Sequence, residues 1–291
     1  MNWFFRFLVG LIIWLLRKWG RLSAKTVVVN GIRWPYLDGG PPDGETVVML
    51  HGFGGDKNNW PLYARHFTKR YRVIAPDLAG FGENTRDPDL DYGMAAQTER
   101  LHHFLRELGI DRFHIAGNSM GGFIALHYAL NYPGELRSMT LMDNAGVRSR
   151  NKSELEVAID EGKNLLLAKS LDEFEGLLEF VMHKPIPSPK FMMKAMYLEQ
   201  ARHFEFLDEI FWHITDEATN DTLTDRLSEI SVPTLVIWGR QDRVLDVSCT
   251  EAMAAAISEN KVVILEDVGH IPMIECPRET ALHHIELIAA H

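Results

Sequence analysis

The stretch from residue 113 to 132, FHIAGNSMGGFIALHYALNY, constrains the fold more than any other part of the chain. A short apolar run ending near Ala116 passes through Gly117-Asn118-Ser119-Met120-Gly121 into a run with helical patterning. The predicted local structure is strand, sharp turn, helix. At such a turn a serine sits where the chain can hardly bend. Its hydroxyl projects from the top of a sheet, and the following backbone N–H groups aim at the same point. Gly117 and Gly121 suit this, because a side chain at either position would collide across the turn. The bland alternative, a glycine-rich turn with an incidental serine, is weakened by the strand-to-helix context.

The rest of the chain supplies a sheet for that turn. Short β-type runs at Thr26 to Asn30, Ile32 to Leu37 and Thr46 to Leu50 open it, with the turn DGGPPDG before the third. Apolar strands at Arg72 to Ala75, Phe113 to Ala116, Met139 to Met142, Thr234 to Trp238 and Val262 to Leu265 then alternate with helix-length segments. That alternation predicts an α/β fold with a mostly parallel sheet and helices on both faces. Between Gly146 and about Asp216 no convincing strand occurs, and so long a gap reads as an inserted helical lid over 147–216. The core is then 26–146 and 217–291. The lid is rich in large apolar residues, among them Phe174, Phe180, Met192, Met193, Met196, Phe211 and Trp212. A greasy substrate tunnel is one use for them, although packing onto the core is the better reading for most.

The first 25 residues are a separate unit. WFFRFLVGLIIWLL, residues 3 to 16, is apolar except for Arg6, and Arg6, Arg17, Lys18, Arg21 and Lys25 face no acid within the segment. The run covers about 21 Å, short of the ~30 Å hydrocarbon core, so it can span only with its basic side chains reaching to the headgroups. Arg6, Gly10, Ile13 and Arg17 share one helical face, the alternative being a helix lying in the interface. The expectation is a single N-terminal membrane anchor, with an uncleaved span favoured over a surface helix. The segment also offers a surface for a homodimer through the anchor helix, although none of its residues demands one. More positive charge follows the segment than precedes it, which would keep the following domain cytoplasmic.

The whole chain carries a formal net charge of -10, which argues against a nucleic-acid partner. Its two cysteines, Cys249 and Cys276, lack metal-ligand spacing, so neither a disulfide framework nor a zinc site is expected.

A serine hydroxyl needs a base to take its proton and a third group to orient that base. His270 follows the last predicted strand in EDVGH, and Asp242 follows the strand before it in WGRQD, so both emerge beside the serine loop. Asp246 and Asp143 are rival acids at strand ends. Two N–H donors must also face the developing oxyanion. The glycine-rich His51-Gly52-Phe53-Gly54-Gly55 lies after the third strand, and we assign the donors to the backbone N–H groups of Phe53 and Met120. His51 is read as a residue that structures this loop.

The motifs LHGFGG, APDLAGFG, AGNSMGG, WGRQDRV and EDVGHIPMIECP stand in the order and spacing of the α/β-hydrolase superfamily, over nearly all of residues 26 to 291. Within it the chain most resembles membrane-anchored monoacylglycerol lipases, lysophospholipase-type hydrolases and related bacterial lipases. The resemblance implies an eight-stranded sheet, Ser119, Asp242 and His270 as catalytic triad, Phe53 and Met120 as oxyanion donors, no metal or organic cofactor, and a lipid ester substrate at a bacterial inner membrane. The elbow GNSMGG and the lid are also similar to those of carbon-carbon bond hydrolases of ring-fission products, and a small-ester carboxylesterase is a further reading. A hydrolase-fold sensor that barely turns over its ligand is disfavoured by an intact triad.

Overall fold

The computed structural model describes residues 3–220 and 223–291. Met1 and Asn2 of the expected anchor, and Asp221 and Thr222, lie outside the described residues. The strands are β1 (Leu22–Val29), β2 (Ile32–Gly39), β3 (Thr46–Leu50), β4 (Arg72–Pro76), β5 (Phe113–Asn118), β6 (Leu136–Met142), β7 (Thr234–Gly239) and β8 (Asn260–Leu265). They form one eight-stranded sheet in the order β1-β2-β4-β3-β5-β6-β7-β8. The strands from β3 to β8 run parallel, while β2 pairs antiparallel with both β1 and β4. Asn30 and Gly31 turn β1 into β2 with φ of 51° and 81°, the backbone that a two-residue hairpin needs.

The helices are α1 (Trp3–Trp19), α2 (Pro61–Ala64), α3 (Met94–Glu107), α4 (Met120–Asn131), α5 (Glu154–Asp160), α6 (Leu171–Val181), α7 (Lys190–Arg202), α8 (Phe204–Asn220), α9 (Cys249–Ala256), α10 (Pro272–Glu275) and α11 (Pro277–Ala290). Two apolar layers sandwich the sheet. On one face, Phe104, Phe123, Ile124 and Tyr128 from α3 and α4 pack on Val48, Ile74 and Ile115. On the other, Tyr63, Phe67, Met273 and Ile288 pack on Val47, Val73 and Ile237. Helices on both faces leave the carboxyl ends of the parallel strands as the place where loops can gather.

Between β6 and β7 the described residues form α5 to α8, with α8 continuing to Asn220, and a 3₁₀ turn at Leu223–Glu229. A third cluster, Leu155, Phe180, Phe211 and Val244 with Phe53, Val181 and Leu245 beside it, packs α5, α6 and α8 onto the loops after β3 and β7. Phe174, Phe180 and Phe211 are buried, whereas Met196 remains exposed and no residue of α7 is buried.

The N-terminal segment departs from expectation. α1 is a 17-residue helix, and among the described residues no helix is long and apolar enough to cross a membrane. The expected span is therefore not found, since a helix of this length covers only about 26 Å. The basic flank is also partly committed elsewhere. β1 already begins at Leu22, Lys25 Nζ lies 2.8 Å from Asp38 Oδ2, and Arg17 Nε donates to Asn58 Oδ1 at 2.8 Å. α1 rests on α2 and β1 and touches α7, where Phe5 and Phe191 stack with centroids 5.5 Å apart. Leu8, Ile12, Ile13 and Leu16 are half-buried on that side, while Trp3, Phe4, Phe7, Leu11, Trp14 and Leu15 stand exposed.

Candidate active site

β5 ends at Asn118 and α4 begins at Met120, leaving Ser119 alone between them with φ 54°. A non-glycine residue with positive φ is strained and must be held by its surroundings. The Ser119 N–H donates to Met142 O at 3.0 Å, and its carbonyl accepts from the N–H groups of Gly122, Phe123 and Ala145. The flanking glycines are required by space: a Cβ on Gly117 would lie 2.2 Å from Gly121 O, and one on Gly121 2.3 Å from Leu50 O. Ser119 is 8% exposed, so it is almost wholly enclosed by its surroundings.

His270 and Asp242 arrive from the loops after β8 and β7, and their side chains meet: His270 Nδ1 is 2.8 Å from Asp242 Oδ2. The other Asp242 oxygen accepts the N–H groups of Val244 at 2.7 Å and Leu245 at 3.1 Å. With Oδ1 committed to two donors, Oδ2 is the oxygen left for the imidazole. Of the rival acids, Asp246 accepts the Ser248 N–H in a local turn, whereas Asp143 lies beside the pair. The His270 N–H donates to Val181 O at 2.9 Å, which ties its loop to the end of α6.

Asn118 links the serine turn to the histidine loop, a role that sequence reasoning missed. Its Nδ2 donates to both Met142 O at 3.1 Å and His270 O at 2.9 Å. The only sequence signal is an amide-bearing residue directly before the serine.

The loop after β3 runs against the same serine. A Cβ on Gly52 would come 3.1 Å from Ser119 Cβ, so glycine lets the Phe53 backbone approach. Met120, as the first residue of α4, has an N–H with no acceptor inside the helix. The Phe53 ring packs edge-on against Phe81 and Phe211, with centroids 5.7 and 5.5 Å away.

His51 holds this loop in place. Its Nε2 accepts the Leu78 N–H at 3.0 Å, so Nδ1 must carry the proton that it donates to Gly52 O at 2.8 Å. Burial pushes its pKa down, in keeping with that neutral form. Below it Lys57 and Asp77 form an ion pair with almost no exposure, Nζ to Oδ2 2.6 Å, and Asp77 also accepts the N–H groups of Lys57 and Glu83. Lys57→Met removes the cation and leaves the Asp77 carboxylate buried without it. The expected loss is about 3–5 kcal/mol of unfolding free energy, measured by urea denaturation.

A strained serine between a parallel strand and a helix, with a histidine-carboxylate pair delivered by the loops after the last two strands, defines the α/β class of hydrolases. The family model described as alpha/beta hydrolase fold matches residues 45–277, and the chain belongs to that family. Lipase 1 of Psychrobacter immobilis is 36% identical over 259 residues, covering 87% of this chain and 80% of the lipase. Monoacylglycerol lipase abhd6-A of Xenopus laevis is 30% identical over 284 residues, covering 94% and 84%. Among solved structures, a membrane phospholipase A described as a bacterial virulence factor superposes with a TM-score of 0.95 at 37% identity, covering 99% of this chain and 93% of that one.

Proposed function

We propose that this carboxylic ester hydrolase acts on lipids at a membrane surface, with Ser119 as nucleophile, His270 as general base and acid, and Asp242 as the residue that orients the imidazole. The observation that carries this reading is the 2.8 Å contact between His270 Nδ1 and Asp242 Oδ2 beside the strained serine turn. A proton held on Nδ1 leaves Nε2 free to take the proton from Ser119 as its oxygen attacks the ester carbonyl. The N–H groups of Phe53 and Met120 receive the oxyanion, and His270 then passes its proton to the leaving alcohol. Water then attacks the acyl carbon, His270 taking its proton and returning it to the Ser119 oxygen as the fatty acid leaves.

The lipid part of the reading is supported by the names of the relatives, lipases and a monoacylglycerol lipase, and by the large apolar side chains of α6 and α8 within the helices that would act as a lid over 147–216. Its test is fatty-acid release from a panel of monoacylglycerols, lysophospholipids and diacyl phospholipids, with Ser119→Ala alongside. Release confined to the unmutated enzyme supports the reading, and the distribution across the panel identifies the substrate. Turnover of small soluble esters alone would contradict it.

Membrane association is assigned to α1 lying in the interface. Trp3, Phe7 and Trp14 are 73%, 60% and 52% exposed on its outer face, large apolar rings that no layer of the described residues covers. Burying each in lipid contributes roughly 1.5–3 kcal/mol. Phe7→Ser with Trp14→Ser is therefore expected to weaken co-sedimentation with phospholipid vesicles by about 100-fold, while hydrolysis of a soluble ester is unchanged. Undiminished vesicle binding would remove α1 from this role.

A further inference from the structure

The loop after β6 places a second carboxyl group against the first. Asp143 follows Met142 with φ 44°, a strained conformation, and its side chain is fully buried. One oxygen of Asp143, one of Asp242 and one ring nitrogen of His270 all lie within 4.8 Å of one another. Asp143 Oδ1 accepts the Gly239 N–H at 2.8 Å, and its own N–H donates to Ile237 O at 3.0 Å, so the residue bridges β6 to the end of β7. Asp143 Oδ2 is buried and no N–H or O–H of the described residues reaches it. The Asp143 carboxyl group lies beside that of Asp242, whose Oδ1 is filled by two N–H groups and whose Oδ2 meets His270.

Two carboxylates this close in a dry site cannot both be charged. Only a proton between them turns a repulsion into a hydrogen bond, and the group with no other charged partner is the one to keep it. Asp242 has the imidazole and two backbone donors, whereas Asp143 has one backbone donor. His270 also lies near Asp143, but its Nδ1 bonds Asp242 Oδ2, and the other titratable groups acting on Asp143 among the described residues, Glu275 and Cys276, bring no positive charge. Burial first, and the Asp242 charge second, raise the Asp143 pKa well above the usual carboxylate range.

We propose that Asp143 is a positioning residue for Asp242: it stays protonated while the enzyme works and donates that proton to Asp242, so that the pair carries one negative charge, held toward His270. The proton forms an O–H···O⁻ bond without leaving Asp143, and no other reactant is needed. This rests on Ser119, Asp242 and His270 acting as proposed above.

The test compares Asp143→Asn and Asp143→Ala on 4-nitrophenyl butyrate, following kcat and the pH profile of kcat/KM. Asparagine keeps the arrangement, its oxygen accepting from Gly239 and its NH2 donating to Asp242, and it tolerates positive φ. The expected result is kcat within about threefold of the unmutated enzyme in Asp143→Asn, and a loss of about 10- to 100-fold in Asp143→Ala. Because a neutral group replaces a neutral group, the acidic limb of the Asn profile stays within about 0.3 pH unit. An ionised Asp143 would instead stabilise the imidazolium, and its removal would move that limb down by about a unit or more. Such a shift overturns the proposal, and so does an Asn variant as impaired as Ala. Should Asp143→Ala fail to fold, the Asn profile still decides. Ser119→Ala separates the two levels: activity surviving there removes the triad itself, whereas a silent control with a shifted Asn profile removes only the role of Asp143.

Discussion

Ser119→Ala is expected to lower kcat on lipid esters by about 10⁶-fold while the fold and its urea midpoint stay unchanged. The size follows from the proposed mechanism, because Ser119 carries the hydroxyl at the turn between β5 and α4, where its neighbours Asn118 and Met120 have none. Substrate binding should survive, since the substitution leaves the loops and helices above the sheet unchanged, so the loss falls on kcat with KM little changed. Alanine also relaxes nothing in the backbone. The φ of 54° is held by bonds from the Ser119 N–H and carbonyl to Met142, Gly122, Phe123 and Ala145, all of which the substitution keeps. A variant with a tenth or more of the original kcat would leave the serine without its assigned role.

Asp242→Asn is expected to cost about 10⁴-fold in kcat with little change in stability. The direction is fixed by which oxygen has which partner. Val244 and Leu245 donate to Oδ1, so the asparagine carbonyl must take that place and its NH2 must face His270 Nδ1. A donor at that point forces Nδ1 to accept, which moves the ring proton to Nε2 and removes the base from Ser119. Asp246→Asn, by contrast, should leave kcat within about twofold, because among the described residues the Asp246 carboxylate bonds the Ser248 N–H in its own turn and not His270. Equal losses in the two variants would mean that the acid has been misassigned. Both are read by steady-state kinetics on the same ester.

Most of the sheet and the candidate site were legible in the sequence because local rules and function agree there. Gly117 and Gly121 are demanded by backbone contacts near 2 Å, and such a demand leaves a trace in the sequence. Asp242 and His270 follow apolar runs that are unmistakable as strands, which places both on one edge of the sheet. What stayed hidden depends on partners distant in the chain. Lys57 sits in a polar loop and reads as a surface residue, yet it is buried because Asp77, twenty residues on, faces it. Asn118 reads as a filler between glycine and serine until the His270 carbonyl is brought against it. Asp143 could be named as a rival acid, but which carboxyl keeps a proton is decided by donors from β7 and by burial, neither of which has a sequence pattern.

The N-terminal segment failed for a different reason. Fourteen nearly unbroken apolar residues satisfy the composition of a membrane span, and hydropathy does not register that one side of the helix is covered by α2 and β1. Half-burial of Leu8, Ile12, Ile13 and Leu16 uses part of the apolar surface inside the molecule and leaves the Trp3, Phe7 and Trp14 side exposed.

The most direct test of the acyl-enzyme is rapid acid quench of the enzyme during turnover of a monoacylglycerol, followed by peptide mass spectrometry. The account predicts a fatty-acyl adduct on the peptide containing Ser119, formed within one turnover, discharged by water and absent from Ser119→Ala. Fatty-acid release at an undiminished rate from Ser119→Ala, or an adduct on any other residue, would contradict it.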